Sequence, residues 1–148
     1  MDHEVKDLSE MIELKPINFD MAKYKIRPDA ALELDKIVLI MNKYPKMIVE
    51  LGAHTDCVGS RKYNKSLSDK RAKSSANYIK ERISDPERIT GKGYGEDRLA
   101  VEKCACEGRV KADCTEEEHA QNRRTEFRVV SIGQEGVEVK NNGNGSFD

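Results

Sequence analysis

The sequence has no tryptophan, and aromatic residues make up only 5% of its 148 residues. With 37% hydrophobic and 36% charged residues, the chain can bury one modest core beneath a heavily solvated surface. It also lacks a charge excess. Lys and Arg number 26 against 27 Asp and Glu, a net charge of -1. That excludes a general attraction to nucleic acid or to an anionic membrane, so a ligand must be recognised by local charge. No apolar run approaches the roughly eighteen residues of a membrane-spanning helix. The first ten residues, MDHEVKDLSE, lack the basic and apolar regions of a signal peptide. If the parent protein is exported, the expectation is a fragment of it, with any membrane attachment in its missing parts. There is no internal repeat and no second core, so a single domain is expected over residues 11–132. Segments 1–10 and 133–148 are expected to be flexible.

The patterning predicts the elements in order. Met11–Leu14 reads as a short strand. A helix starts at Pro28, with Ala30, Leu34, Ile37, Val38 and Met41 at helical spacing, and it ends before Pro45. Met47, Val49, Leu51 and Ala53 alternate as one face of a strand, with Ile48, Glu50 and Gly52 on the other. A second helix is expected from Ser66, with Asp69 in capping-box spacing and Ala72, Ser75, Ala76, Ile79 and Ile83 as its core stripe. Arg88–Tyr94 is a glycine-rich strand, and residues 96–114 form a long loop. Thr115 caps a short helix, and Thr125–Ile132 is the last strand. The fold class is therefore α/β, an α+β sandwich. Its order is β-α-β-α-β-(short α)-β, a mixed four-stranded sheet with helices on one face.

The stretch His54–Ala72 carries the chemistry. Asp56 follows the buried strand directly, and Arg71 comes fifteen residues later on a helix. A carboxylate and a guanidinium at the two ends of one segment can hold a small zwitterion. Placed in the first two turns of a helix, Arg71 would share the anion with free backbone N–H groups. The competing reading is a structural salt bridge between the two.

These residues sit within a set of motifs: INFD at 17–20, GAHTD at 52–56, YNKSLSDKRA at 63–72, GYGE at 93–96 and NRRTEF at 122–127. Over Met11–Ile132 the chain resembles the C-terminal, peptidoglycan-associating domain of outer-membrane protein A and its relatives. Those relatives include the peptidoglycan-associated lipoprotein and the wall-gripping flagellar stator subunit. The resemblance implies a non-enzymatic module that binds the meso-diaminopimelate of peptidoglycan stem peptides and ties an outer-membrane protein or lipoprotein to the wall. Such a module works at the periplasmic face of a Gram-negative outer membrane. It implies no cofactor, no metal and no nucleic acid, and leaves a homodimer possible. By motif position, Asp56 takes the amine and Arg71 the carboxylate. Asn64 orders the site, Leu67 lines it, Thr55 lies near the ligand, Arg124 supports the pocket edge, and N–H groups of the 55–67 loop complete the cradle. The rival from another class is the same fold docking a protein partner.

Cysteine is the main departure from that pattern. Cys57 sits beside the key aspartate, while Cys104, Cys106 and Cys114 crowd into one polar segment. The trio, with His119, has residue types for zinc, but its spacing is not that of paired knuckles. A disulfide from Cys114 to Cys104 or Cys106 is favoured, and the remaining cysteine either pairs with Cys57 or stays reduced. Cys57 as a nucleophile beside His54 lacks a third orienting group. The 91–95 glycines lack the Lys-Ser/Thr of a phosphate loop.

Overall fold

The computed structural model describes residues 7–106 and 114–133. Of the segments expected to be flexible, 1–10 and 133–148, residues 1–6 and 134–148 lie outside that range. Helix α1 spans Pro28–Lys43, with Pro28 in its first turn and Asp29 at the positive end of its dipole. Its inward face buries Ala30, Leu34, Ile37, Ile40 and Met41. Strand β1 is Ile48–His54, helix α2 Arg61–Lys80 and strand β2 Ile89–Gly95. A short helix α3, Glu116–Asn122, leads into strand β3, Arg124–Ser131. Thr115 and Glu118 cap α3 reciprocally, each side chain accepting the other's backbone N–H.

The sheet order is β2-β1-β3, with β2 parallel and β3 antiparallel to β1. A parallel pair needs a crossover, and α2 supplies it. Val49, Leu51, Ile89, Phe127 and Val129 point inward against α1 and α2, while Ile48 on the other face is 41% exposed, as the alternation requires. Gly91 and Gly93 let α2 lie directly on β2: a Cβ on Gly91 would meet the Ala72 carbonyl oxygen at 2.5 Å.

Among the described residues the sheet has three strands, which corrects the expected four. Met11–Leu14 is not a strand. The backbone N–H of Lys15 goes to the Glu33 carboxylate of α1 at 2.8 Å, and Pro16 has no N–H to offer a ladder. Lys36 clamps the same segment through Glu33 and the Glu13 carbonyl. Before it, Leu8–Glu10 forms a 3₁₀ turn whose Leu8 is fully buried, so the packed unit takes in part of the expected flexible N-terminus. A single bridge between Asp7 and Arg128 is all that pairs with the outer edge of β3 among the described residues.

One buried cation closes the far end of the core. Arg88 donates to the carbonyls of Met41, Tyr44, Met47 and Ser84 and so caps the C-terminus of α1 from the start of β2. No helix among the described residues is long and apolar enough to cross a membrane.

Candidate functional site: a guanidinium-lined cleft

A cleft of about 770 Å³ opens where β1 ends. One wall is the irregular segment from Leu14 to Phe19, the floor is Ala53, Thr55, Ser68 and Arg71, and the far wall is α3 with the start of β3.

Arg71 is fixed by the segment it faces. Nε donates to the Lys23 carbonyl at 2.8 Å and Nη2 to that of Asp20 at 3.1 Å, with the Phe19 ring 4.9 Å from the guanidinium carbon. Neither bond uses Nη1. Among the described residues no carboxylate pairs with Arg71, and burial pushes its guanidinium below the ordinary arginine value. Asp56 and Arg71 do not pair with each other, so the structural salt bridge is not what the fold makes.

Helix α2 starts earlier than the sequence suggested. The Ser60 hydroxyl accepts the Tyr63 N–H, and the helix begins at Arg61 rather than Ser66. Serine, lysine and asparagine ahead of Ser66 gave no apolar period, but the Ser60 cap and the packing of Asn64 decide it. Arg71 is therefore a third-turn residue whose neighbouring N–H groups are already bonded. The expected help from a helix N-terminus does not reach it, and Asn64–Leu67 belong to α2 rather than to a loop cradle. Asn64 is buried and donates to the Asp56 carbonyl at 3.2 Å and to Glu96 at 3.1 Å, which does order the turn. Thr55 lines the cleft, with its N–H on Gly95 and its hydroxyl donating to the Asp56 carbonyl. Leu67 is half-buried and is not part of the cleft lining.

Asp56 is 8% exposed and does not itself line the cleft. Its Oδ1 accepts the Val58 N–H at 3.0 Å, and its Oδ2 accepts from Arg123 Nη1 at 2.5 Å. Arg123 also pairs with Glu116. Burial pulls the Arg123 guanidinium down, but its bonds to Asp56 and Glu116 outweigh that and hold it above the ordinary arginine value. The sequence reading did not single out Arg123; it placed Arg124 at the pocket edge. Arg124 does line the cleft edge, yet it serves Glu126 and the Arg98 carbonyl. The two arginines of NRR diverge because Arg123 ends α3 whereas Arg124 begins β3.

Four described cysteines form two bridges, Cys57–Cys106 and Cys104–Cys114. The expected Cys114 bridge is thus present, and the remaining pair falls to Cys57.

On the sheet's outer side His54 stacks on Tyr94, ring centroids 5.1 Å apart, with Nε2 3.5 Å from Glu126. Burial, reinforced by the Arg124 charge, pushes its imidazole down to about 4 against the opposing pull of Glu126. The folded protein therefore binds fewer protons at this site than the unfolded chain between pH 6.5 and about 4. Stability is full above the unfolded value and falls as pH drops through this window, by on the order of 2 kcal/mol. Urea midpoints at pH 7 and pH 4.5, compared with those of His54→Asn, check this. An unchanged acid sensitivity in the variant would assign the loss to other groups.

Fold and cleft together define a small α+β fold in which a guanidinium that pairs with no carboxylate among the described residues sits in a recess beside a carboxylate-bearing strand end. The OmpA family's sequence model matches residues 18–113, and the chain belongs to that family. It is 32% identical over 113 residues to photosystem I P700 chlorophyll a apoprotein A2 of Gloeobacter violaceus, covering 76% of this chain but 12% of the relative. It is 31% identical over 118 residues to outer membrane porin F of Pseudomonas fluorescens, covering 80% of this chain and 33% of that protein. The chain thus spans a third or less of these two relatives. Its fold is similar to the crystal structure of the peptidoglycan-associated lipoprotein from Burkholderia pseudomallei, with a TM-score of 0.61 and 20% identity, over 78% of this chain and 90% of that one.

Proposed function

We propose that this domain associates with peptidoglycan by binding the diaminopimelate end of uncrosslinked stem peptides, and so anchors a larger outer-membrane protein or lipoprotein at the periplasmic face of that membrane. The module is taken to run from about residue 11 to 132, extended at its start by the Leu8 turn. The observation that carries the reading is Arg71: a half-buried guanidinium, facing a cleft, held by carbonyls and paired with no carboxylate among the described residues. A buried cation without a counter-ion gains most when an anion arrives, and a ligand carboxylate on Nη1 supplies one. Asp56, one β-strand end away, is the group for the ligand amine. Thr55 and Arg124 border the same cleft, and Asn64 holds the Asp56 turn in place. Two disulfides suit the oxidising compartment this assigns.

A single small charged site gives modest affinity, which repeated wall contacts multiply. The test is an NMR titration of the chain with meso-diaminopimelate. Saturable shifts around residues 54–56 and 71 are expected, with Arg71→Ala weakening binding by about 2 kcal/mol or more. A folded wild-type protein with no response would sink the ligand. A second reading, protein docking or a homodimer, is favoured by Leu32 and Leu39, exposed at 66% and 73% one heptad apart on α1. A concentration-dependent increase in mass, abolished by Leu39→Glu, is its signature.

A further inference from the structure

We propose that Arg123 is a specificity-determining latch. It occupies the cation position at Asp56 in the free protein and transfers to Glu116 when a ligand ammonium takes that position. The inference rests on the reading of the cleft given above.

The geometry leaves an incoming amine few choices. The Oδ1 atom of Asp56 is held by the Val58 N–H, and Oδ2 by Arg123. The carboxylate is nearly buried, whereas Arg123 is 39% exposed at its side chain and forms part of the cleft wall. A cation entering the cleft therefore meets a guanidinium before it meets Asp56. Ordinarily, displacing a paired arginine leaves its charge uncompensated. Here Nη2 already contacts Glu116, whose side chain is 76% exposed and can follow the guanidinium outward. After the exchange both cations and both carboxylates remain paired, so no proton or bond changes hands.

The backbone beneath Arg123 is braced against moving with it. Cys57, next to Asp56, is bridged to Cys106; Cys104 is bridged to Cys114; Cys114 precedes the Thr115 cap of α3; and Arg123 ends that helix. The ion pair closes this circuit back onto Asp56. Exchange is thereby confined to the side chain. A ligand with a carboxylate but no amine has no means to open the latch and engages Arg71 alone. The favoured ligand class is a zwitterion with its ammonium and carboxylate far enough apart to reach both positions. Binding is weakened by the fraction of time the latch stays closed.

The test compares meso-diaminopimelate with pimelate, the same dicarboxylate chain without amines, on the wild type, Glu116→Gln and Arg123→Gln. Slow rotation of the Arg123 Nη groups is followed in parallel by arginine side-chain NMR on the ligand-free proteins. Glu116 is on the surface, so its variant keeps the fold. Expected are roughly fivefold weaker diaminopimelate binding in Glu116→Gln, roughly fivefold tighter binding in Arg123→Gln, and no change for pimelate in either. If Arg123→Gln weakens both ligands alike, or Glu116→Gln changes nothing, the latch is wrong and Arg123 is a ligand-holding or structural residue. If the wild type binds neither ligand, the wall-binding reading falls. The latch is then decided by the free proteins: restricted Arg123 rotation, eased in Glu116→Gln and lost in Asp56→Asn, sustains it, and free rotation in the wild type overturns it.

Discussion

Replacing Cys57 and Cys106 together with serine should lower the unfolding free energy by about 4 kcal/mol, because the bridge closes a loop of about fifty residues in the unfolded chain. The loop contains α2 and β2, the crossover helix and the strand it delivers to the parallel side of β1, so the bridge restrains the unfolded chain over that whole unit. The shorter Cys104–Cys114 loop, ten residues apart, contributes about 3 kcal/mol by the same argument. The longer bridge also sits one residue from Asp56. Its loss should therefore broaden the amide signals of residues 54–58 before the sheet is affected. Urea unfolding of the double serine variant against the oxidised wild type measures the first effect. A difference under about 1 kcal/mol would show that the unfolded chain is compact enough already for the bridge to restrain little.

The second large effect is at Gly93. A Cβ there would overlap the backbone of Ser68 and Asp69, where α2 lies directly on β2. Backbone cannot swing aside as a flexible side chain can, so Gly93→Ala must lift α2 off the sheet or displace β2. A cost of about 3 kcal/mol or more is expected. The damage would not stop at packing. Lys65 donates to the Gly93 carbonyl, the Gly93 N–H reaches Asp69, and Arg71 stands half a turn further along the same helix. Thermal unfolding of Gly93→Ala should show a clear loss of stability, with Gly52→Ala as the milder control. At Gly52 the added carbon meets side chains rather than backbone, the Tyr94 ring at 3.1 Å and His54 Nε2 at 3.5 Å. Equal losses at both positions would mean that helix–sheet clearance is not what the Gly93 site protects.

What was legible in the chain and what was not divides by the range over which the deciding interaction acts. The helix of Pro28–Lys43, the alternation of Met47–Ala53 and the capped start of α3 follow from local rules: proline at a first turn, period two, and a threonine three residues ahead of a glutamate. The family's motifs singled out Asp56 and Arg71 as the expected anchors. Local rules failed where a tertiary partner competed for the same groups. Met11–Leu14 has strand composition, but Glu33 and Lys36 of α1 hold the segment's polar groups. The residues before Ser66 lack an apolar face, yet Ser60 and buried Asn64 extend α2 over them.

The sequence by itself pointed to an α+β fold whose central strand runs directly into Asp56, and it favoured a bridge from Cys114 over zinc or free thiols. Only the tertiary structure decided which cysteine joins Cys57, that Arg71 has no carboxylate partner among the described residues, and that Arg123 lies on Asp56. The reason is physical. Periodicity and capping act over a few residues, whereas ion pairing depends on where two distant chain segments meet, and Asp56 and Arg123 are brought together by a sheet register and a covalent loop that no short stretch encodes.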